Sequence, residues 1–259
     1  MCRSLKVDAA QMPASESEVL PKKDRVNPVP EHEESLSTRI GVWLRRHYLA
    51  LINIALAVYV LTPMLAPVLM KTGQTKAADV IYRLYKPLCH QLAYRSFFFF
   101  GDQFVYPRQL AEVEGLKTYE QVTGLDGQDQ TAAMAFRGNE QLGYKSALCQ
   151  RDIAIYASLL LFGLIFALTG RQAKPLPWAA WILLALGPMA LDGVSQLVSQ
   201  LDIPALSWFA MRESTPFLRA FTGAMFGWFT AWFGLPSIEE MMNEGKSTKR
   251  SLVTPSEGA

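Results

Sequence analysis

The sequence predicts an all-α fold: a polytopic membrane bundle of about four transmembrane helices, with an amphipathic helix on the membrane surface. Three observations lead there. Half of the 259 residues are hydrophobic and 19% are charged, which is more apolar than most soluble domains of this length. Four apolar stretches each approach the roughly 20 residues that cross a bilayer core. Trp43, Trp178, Trp208 and Trp232 fall near the ends of those stretches, as an interfacial aromatic belt would place them.

Residues 1–37 are rich in Glu, Lys, Ser and Pro and hold no apolar run, so they read as a disordered tail whose little apolar surface cannot offset the ordering entropy. The bundle is expected over 38–236. Its first span runs from about Tyr48 to Met70, behind Arg45, Arg46 and His47, and Pro63 and Pro67 should kink its far end. The long segment 71–150 follows. Its first part places Ala77, Ile81, Leu84 and Tyr85 at helical spacing among Lys76, Asp79, Arg83 and Lys86, the pattern of a helix lying on the membrane. A short helix from Pro87 leads to Phe97, Phe98, Phe99 and Phe100, read as an interface anchor. Residues 102–147 are polar and Gly-containing, with one helical turn near Thr118–Val122.

The second span is expected over Ile153–Gly170. The third, at about 177–198, opens at Pro177, a good first-turn proline, and Gly187-Pro188 should bend it in the middle. The fourth, at about 216–235, starts after Ser214-Thr215-Pro216, which reads as an N-cap and a first-turn proline. Residues 237–259 read as a second, mostly disordered tail with a short helix near Ile238–Met242.

A net charge of +2 argues against a nucleic-acid binder, and no phosphate loop, metalloprotease helix or calcium loop is present. Three cysteines are too few for a disulfide scaffold, and Cys2 lies in a polar leader without an apolar core behind it. Arg39, Arg45, Arg46, Arg171, Lys174, Lys246, Lys249 and Arg250 fall on one side, against Arg212 in the loop between spans three and four. The positive-inside rule then places both termini in the cytoplasm, in a multi-pass protein of the cell membrane.

With the spans drawn, the polar residues gather at the outer face. Cys89, His90 and Gln91 precede span two, and Cys149, Arg151 and Asp152 stand at its entrance. Asp192 lies roughly 22 Å along span three at 1.5 Å per residue, with Gln196 one turn further on. Arg212, Glu213 and Ser214 lead into span four, whose first turns carry Arg219 and Thr222. Ionisable groups at membrane depth are costly unless paired, which makes them site candidates. We expect Asp192 to pair with Arg151 or Arg219. Cys89, His90, Cys149 and Asp152 are expected to form one cluster. Gly223 and Gly227 should let span four pack closely on a neighbouring helix, in this chain or another.

Leu88-Cys89-His90-Gln91, Arg95-Ser96-Phe97, Cys149-x-Arg151-Asp152-x-x-Ile155-Tyr156, Pro188 with Asp192-Gly193-x-x-Gln196, Glu213-Ser214 and Arg219-x-x-Thr222-Gly223 together resemble the uncharacterised prokaryotic membrane family DUF2085, over roughly residues 45–235. Many members carry a second cysteine where this chain has Asp152, so the Cys-x-x-Cys version is absent here. The resemblance implies a shared site and no agreed activity.

Three function classes compete. A metal-supported membrane enzyme would use Cys89, His90, Cys149 and Asp152 as zinc ligands, since thiolate, imidazole and carboxylate are the usual donors. It would use Asp192 or Glu213 as acid or base, with Arg151 and Arg219 as charge partners and Gln196 beside them. An envelope thiol oxidoreductase needs at least one labile cysteine pair, and Cys89 with Cys149 is the pair available. A non-enzymatic transporter, receptor-like subunit or assembly component would keep Cys89–Cys149 as a structural disulfide and turn Arg95, Arg151 and Arg219 toward an anion.

Overall fold

The computed structural model describes residues 36–199 and 212–253. The expected tail over residues 1–37 therefore lies almost wholly outside the described residues, and the expected interfacial Trp208 lies outside them too. Helix α1 (Leu36–Lys71) begins about twelve residues before the expected span and carries Pro63 and Pro67 buried within it. After Gly73 the chain reverses into α2 (Thr75–Tyr85). Two short helices, α3 (Tyr119–Thr123) and α4 (Gln130–Ala135), lie in the segment that follows. Then come α5 (Gln150–Leu168), α6 (Trp178–Trp181), α7 (Gly187–Ser199) and α8 (Pro216–Val253).

Between α6 and α7, residues Ile182–Leu186 form a π-helical turn, so the third long helix is continuous over Trp178–Ser199. The break in register sits just ahead of Pro188, which has no N–H to return to the preceding turn.

Leu36–Lys71, Gln150–Leu168 and Trp178–Ser199 are long and apolar enough to cross a membrane. Only 28%, 22% and 22% of their most apolar windows are buried. In a soluble bundle most large aliphatic side chains turn inward; here Leu61, Leu65, Leu161, Leu164, Leu183 and Leu191 point out. Apolar surface of this extent turned outward fits lipid and not water. Helix α8 packs along the length of α5 and runs past the buried Pro236 to Val253, where the sequence reads a tail from residue 237. Its extension closes one end of the bundle: Tyr48 donates to Glu239 at 2.8 Å, Arg171 bonds the same carboxylate at 3.4 Å, and Arg45 reaches the Met242 carbonyl at 3.1 Å.

The all-α expectation needs correction. At the other end of the bundle lies a three-stranded antiparallel sheet, order β1-β3-β2, built from β1 (Ser96–Phe99), β2 (Gly138–Asn139) and β3 (Gly143–Cys149). Ser96 pairs with Cys149, and Phe98 with Lys145, across a bulge. Three of the four phenylalanines, Phe97 to Phe99, therefore lie in a strand. Phe98 is buried against Tyr106 and Phe136, Phe97 stacks on Phe104, and Phe100 is exposed. Around Phe98 the segment builds its own core from Leu92, Tyr94, Tyr106, Tyr119, Ala133 and Leu142.

Helix α2 also differs from expectation in the face it covers. Ala78, Tyr82 and Tyr85 are buried against α1 and β3, while Val80 and Leu84 are exposed.

Candidate functional site

Strand β3 runs directly into α5, so Cys149 is at once the last residue of the strand and the N-cap of the helix. Gln150 locks this junction: it is fully buried and donates to the Ser96 carbonyl at 3.0 Å. Arg151 and Asp152 follow in the first turn.

Cys89 arrives from the other direction. Helix α2 ends at Tyr85, a turn covers 86–88, and residues 89–92 lie in no regular element, with Gln91 at a left-handed φ of 53°. Cys89 is buried and His90 exposed. The Cys89 and Cys149 sulfurs and an Asp152 carboxylate oxygen lie within 4.8 Å of one another. His90 is not in that group; it stands at the rim of the cavity beside it. The Cys149 thiol donates to the Cys89 sulfur, and the Gln91 N–H bonds the same sulfur at 3.5 Å, so the Cys89 thiol is held below its ordinary range.

Two buried carboxylates lie next to this group. Asp192 is bonded by Arg151, by Arg212 at 3.2 Å and by the Ser214 hydroxyl at 2.8 Å. Glu213 takes Arg95 at 2.9 Å, Arg108 at 3.3 Å and Arg219. Of the two partners expected for Asp192, the structure gives it Arg151 and gives Arg219 to Glu213. Gln196 is buried on the same helix as Asp192. Ser199 bonds the backbone of Arg212 at 3.2 and 3.3 Å, which fixes the approach to α8, and Thr215 caps that helix by accepting from the Leu218 N–H at 3.1 Å.

Sequence reasoning missed Arg108 and Lys145. Lys145 is fully buried, and its ammonium donates to the carbonyls of Gln91 at 2.6 Å, Met134 at 2.8 Å and Ala133 at 3.3 Å. Burial, with Arg137 nearby, lowers its pKa to about 7. No local signal announces it, because the residues of Gly143–Cys149 do not alternate polar with apolar and four consecutive positions of the strand, 145–148, are buried.

A cavity of about 280 Å³ opens between these parts, lined by Cys89, His90, Cys149, Asp152, Arg95, Arg151 and Arg219 among others.

A helical membrane protein with paired charges and free thiols at one end of its bundle is the class these features define. Residues 134–233 match the DUF2085 family, described as predicted membrane proteins. The resemblance drawn from the motifs therefore holds, and the matched region carries Cys149, Asp152, Asp192, Glu213 and Arg219. The chain is also similar to an uncharacterised protein of Methanocaldococcus jannaschii, 24% identical over 205 residues that cover 77% of this chain and 97% of that one. No solved structure matches it.

Proposed function

We propose that this is a four-span membrane protein whose outer end carries a zinc site built by Cys89, Cys149 and Asp152, open on its fourth side to the arginine-lined cavity. The observation that carries the reading is the convergence of two thiols and a carboxylate within 4.8 Å, from segments 60 residues apart in sequence. A tetrahedral zinc needs donors roughly 3.5–4 Å apart, close to the 4.8 Å within which these three atoms already lie. Three protein ligands with a free fourth position is the arrangement of catalytic zinc sites, where a water or substrate oxygen completes the shell. Asp192 and Glu213 are engaged by guanidiniums, so in this reading they orient the arginines and are not the acid and base. Helix α8 is the fourth span: it lies along α5 over its first half, and its apolar stretch is diluted by Trp, Thr and Gly. The exposed Val80, Leu84 and Leu88 let α2 and the turn after it rest on the lipid interface.

Metal analysis of detergent-purified protein tests the site. One zinc per chain is expected, falling at least tenfold in Cys149→Ser and in Asp152→Ala. Protein without stoichiometric metal sinks the reading. A second reading has its own support, because the Cys149 thiol already donates to the Cys89 sulfur. Metal-free protein with two thiols that react only after reduction would establish a structural Cys89–Cys149 disulfide instead.

A further inference from the structure

We infer that the cavity beside the two cysteines binds a phosphate-class oxyanion. The inference rests on the metal reading in taking the anion to lie at the open side of the ion, and on the arginines for its affinity.

Cations outnumber anions around this cavity, five arginines standing against the carboxylates of Glu213, Asp192 and the lining Asp152. Arg95, Arg108 and Arg219 share the single carboxylate of Glu213, and Arg151 and Arg212 share that of Asp192. Three of these arginines line the cavity, and each still has donors to give. Arg95 spends Nε and Nη2 on Glu213. Arg219 spends Nε on the Ser214 carbonyl and Nη2 on Glu213. Arg151 spends Nη2 on Asp192. Among the described residues, Nη1 of all three has no recorded acceptor, and Arg151 Nε is buried with no partner at all. A buried donor left without an acceptor is costly in a folded protein, and a ligand oxygen would satisfy it.

The geometry selects the ligand class. A guanidinium fork matches oxyanions, and three forks, Arg95 from the turn just before β1, Arg151 from α5 and Arg219 from α8, are already held in place by Glu213 and Asp192. Three separate directions of approach suit a tetrahedral group with three free oxygens better than a planar carboxylate with two. The N-terminus of α5, at Cys149, turns its favourable dipole toward the same wall. A volume of about 280 Å³ admits a phosphate together with a small attached group. The shared chemistry is a phosphate, free in solution or on a lipid headgroup, and the exposed Leu88 at the cavity wall leaves the lipid route open.

The test is calorimetric titration of detergent-purified protein with sodium phosphate against sodium chloride at matched ionic strength. A second arm uses nanodiscs of phosphatidylcholine with and without phosphatidic acid, read by thermal stabilisation. Saturable binding of free phosphate identifies a soluble ligand; stabilisation by phosphatidic acid alone identifies a headgroup; either supports the site. Arg95→Gln and Arg151→Gln should each weaken binding about tenfold or more, with Arg95→Lys intermediate because charge survives and the fork does not. Zinc content is measured on the same samples. Zinc retained without phosphate binding overturns this inference alone; phosphate binding lost in the arginine variants but present without zinc overturns the metal reading alone. No binding in either arm, or binding unchanged in both glutamine variants, overturns the oxyanion site.

Discussion

Gln91 has a backbone φ of 53°, in the left-handed region that a residue with a side chain enters only when its surroundings hold it there. Three bonds hold it: its side chain donates to the Tyr82 carbonyl at 2.8 Å, its own carbonyl accepts from Lys145 at 2.6 Å, and its N–H reaches the Cys89 sulfur. Lys145 is thus the pin that sets the position of Cys89. Removing it in Lys145→Met leaves three carbonyls without their donor and should cost about 1–3 kcal/mol for each acceptor stranded away from water. The pH dependence has a definite sign. In the unfolded chain a lysine keeps its proton to about 10.5, whereas in the fold Lys145 loses it at about 7. Between those values the unfolded chain binds more protons, so this residue's contribution rises with pH, is complete above 10.5 and is lost as pH falls through 7. The thermal midpoint of the wild type should climb from pH 6 to pH 9 relative to that of Lys145→Met; a constant difference between the two would show that Lys145 does not titrate in this range.

Helices α5 and α8 meet through Gly223 and Gly227. A Cβ on Gly223 would come within 2.7 Å of the Arg151 carbonyl, and one on Gly227 would fall on the Ile155 carbonyl and the Ser158 hydroxyl. The expected small-residue face therefore lies inside this chain, and it sets how closely Arg151 and Arg219 approach. Gly227→Leu should force the two helices apart at a cost of about 1–3 kcal/mol, as overpacking does. Detergent melts should record the loss, and zinc content should fall with it if the Arg151 to Arg219 wall supports the site; an unchanged midpoint would mean the helices have room to spare. The four helices were legible because their signals are local: length, apolar run, Thr215 with Pro216 at a start, Gly187-Pro188 at a break. The sheet was not. Its pairing joins Ser96 to Cys149 across about fifty residues, and neither strand alternates cleanly enough to stand apart from an anchor or a loop. His90 was misplaced for a related reason: helical spacing was carried past Pro87, where the helix has ended and the chain buries Cys89 while leaving His90 exposed. Arg108 sits in a polar stretch where nothing nearby announces a buried ion pair with Glu213, 105 residues on.

At the scale of the whole molecule the two ends differ in kind. One holds the thiols, the buried carboxylates and the sheet; the other is closed by Arg45, Arg171 and Glu239, beside Lys174, and continues into the basic stretch with Lys246, Lys249 and Arg250. Lys and Arg concentrate on the cytoplasmic side of short loops, so the basic end should face the cytoplasm and the site should face out. The consequence is chemical as well as topological. An outward site meets an oxidising compartment, where an unprotected pair of neighbouring thiols tends to the disulfide and a bound zinc would keep them as thiolates. Single cysteines placed in a Cys2→Ser, Cys89→Ser, Cys149→Ser background decide the orientation. Glu140→Cys, exposed next to β2, should react with a membrane-impermeant maleimide in intact cells, and Lys174→Cys, exposed between α5 and α6, should react only after lysis. The reverse pattern would put the thiols in a reducing compartment, remove the disulfide alternative, and leave the zinc site and the oxyanion cavity to work from the cytoplasmic face.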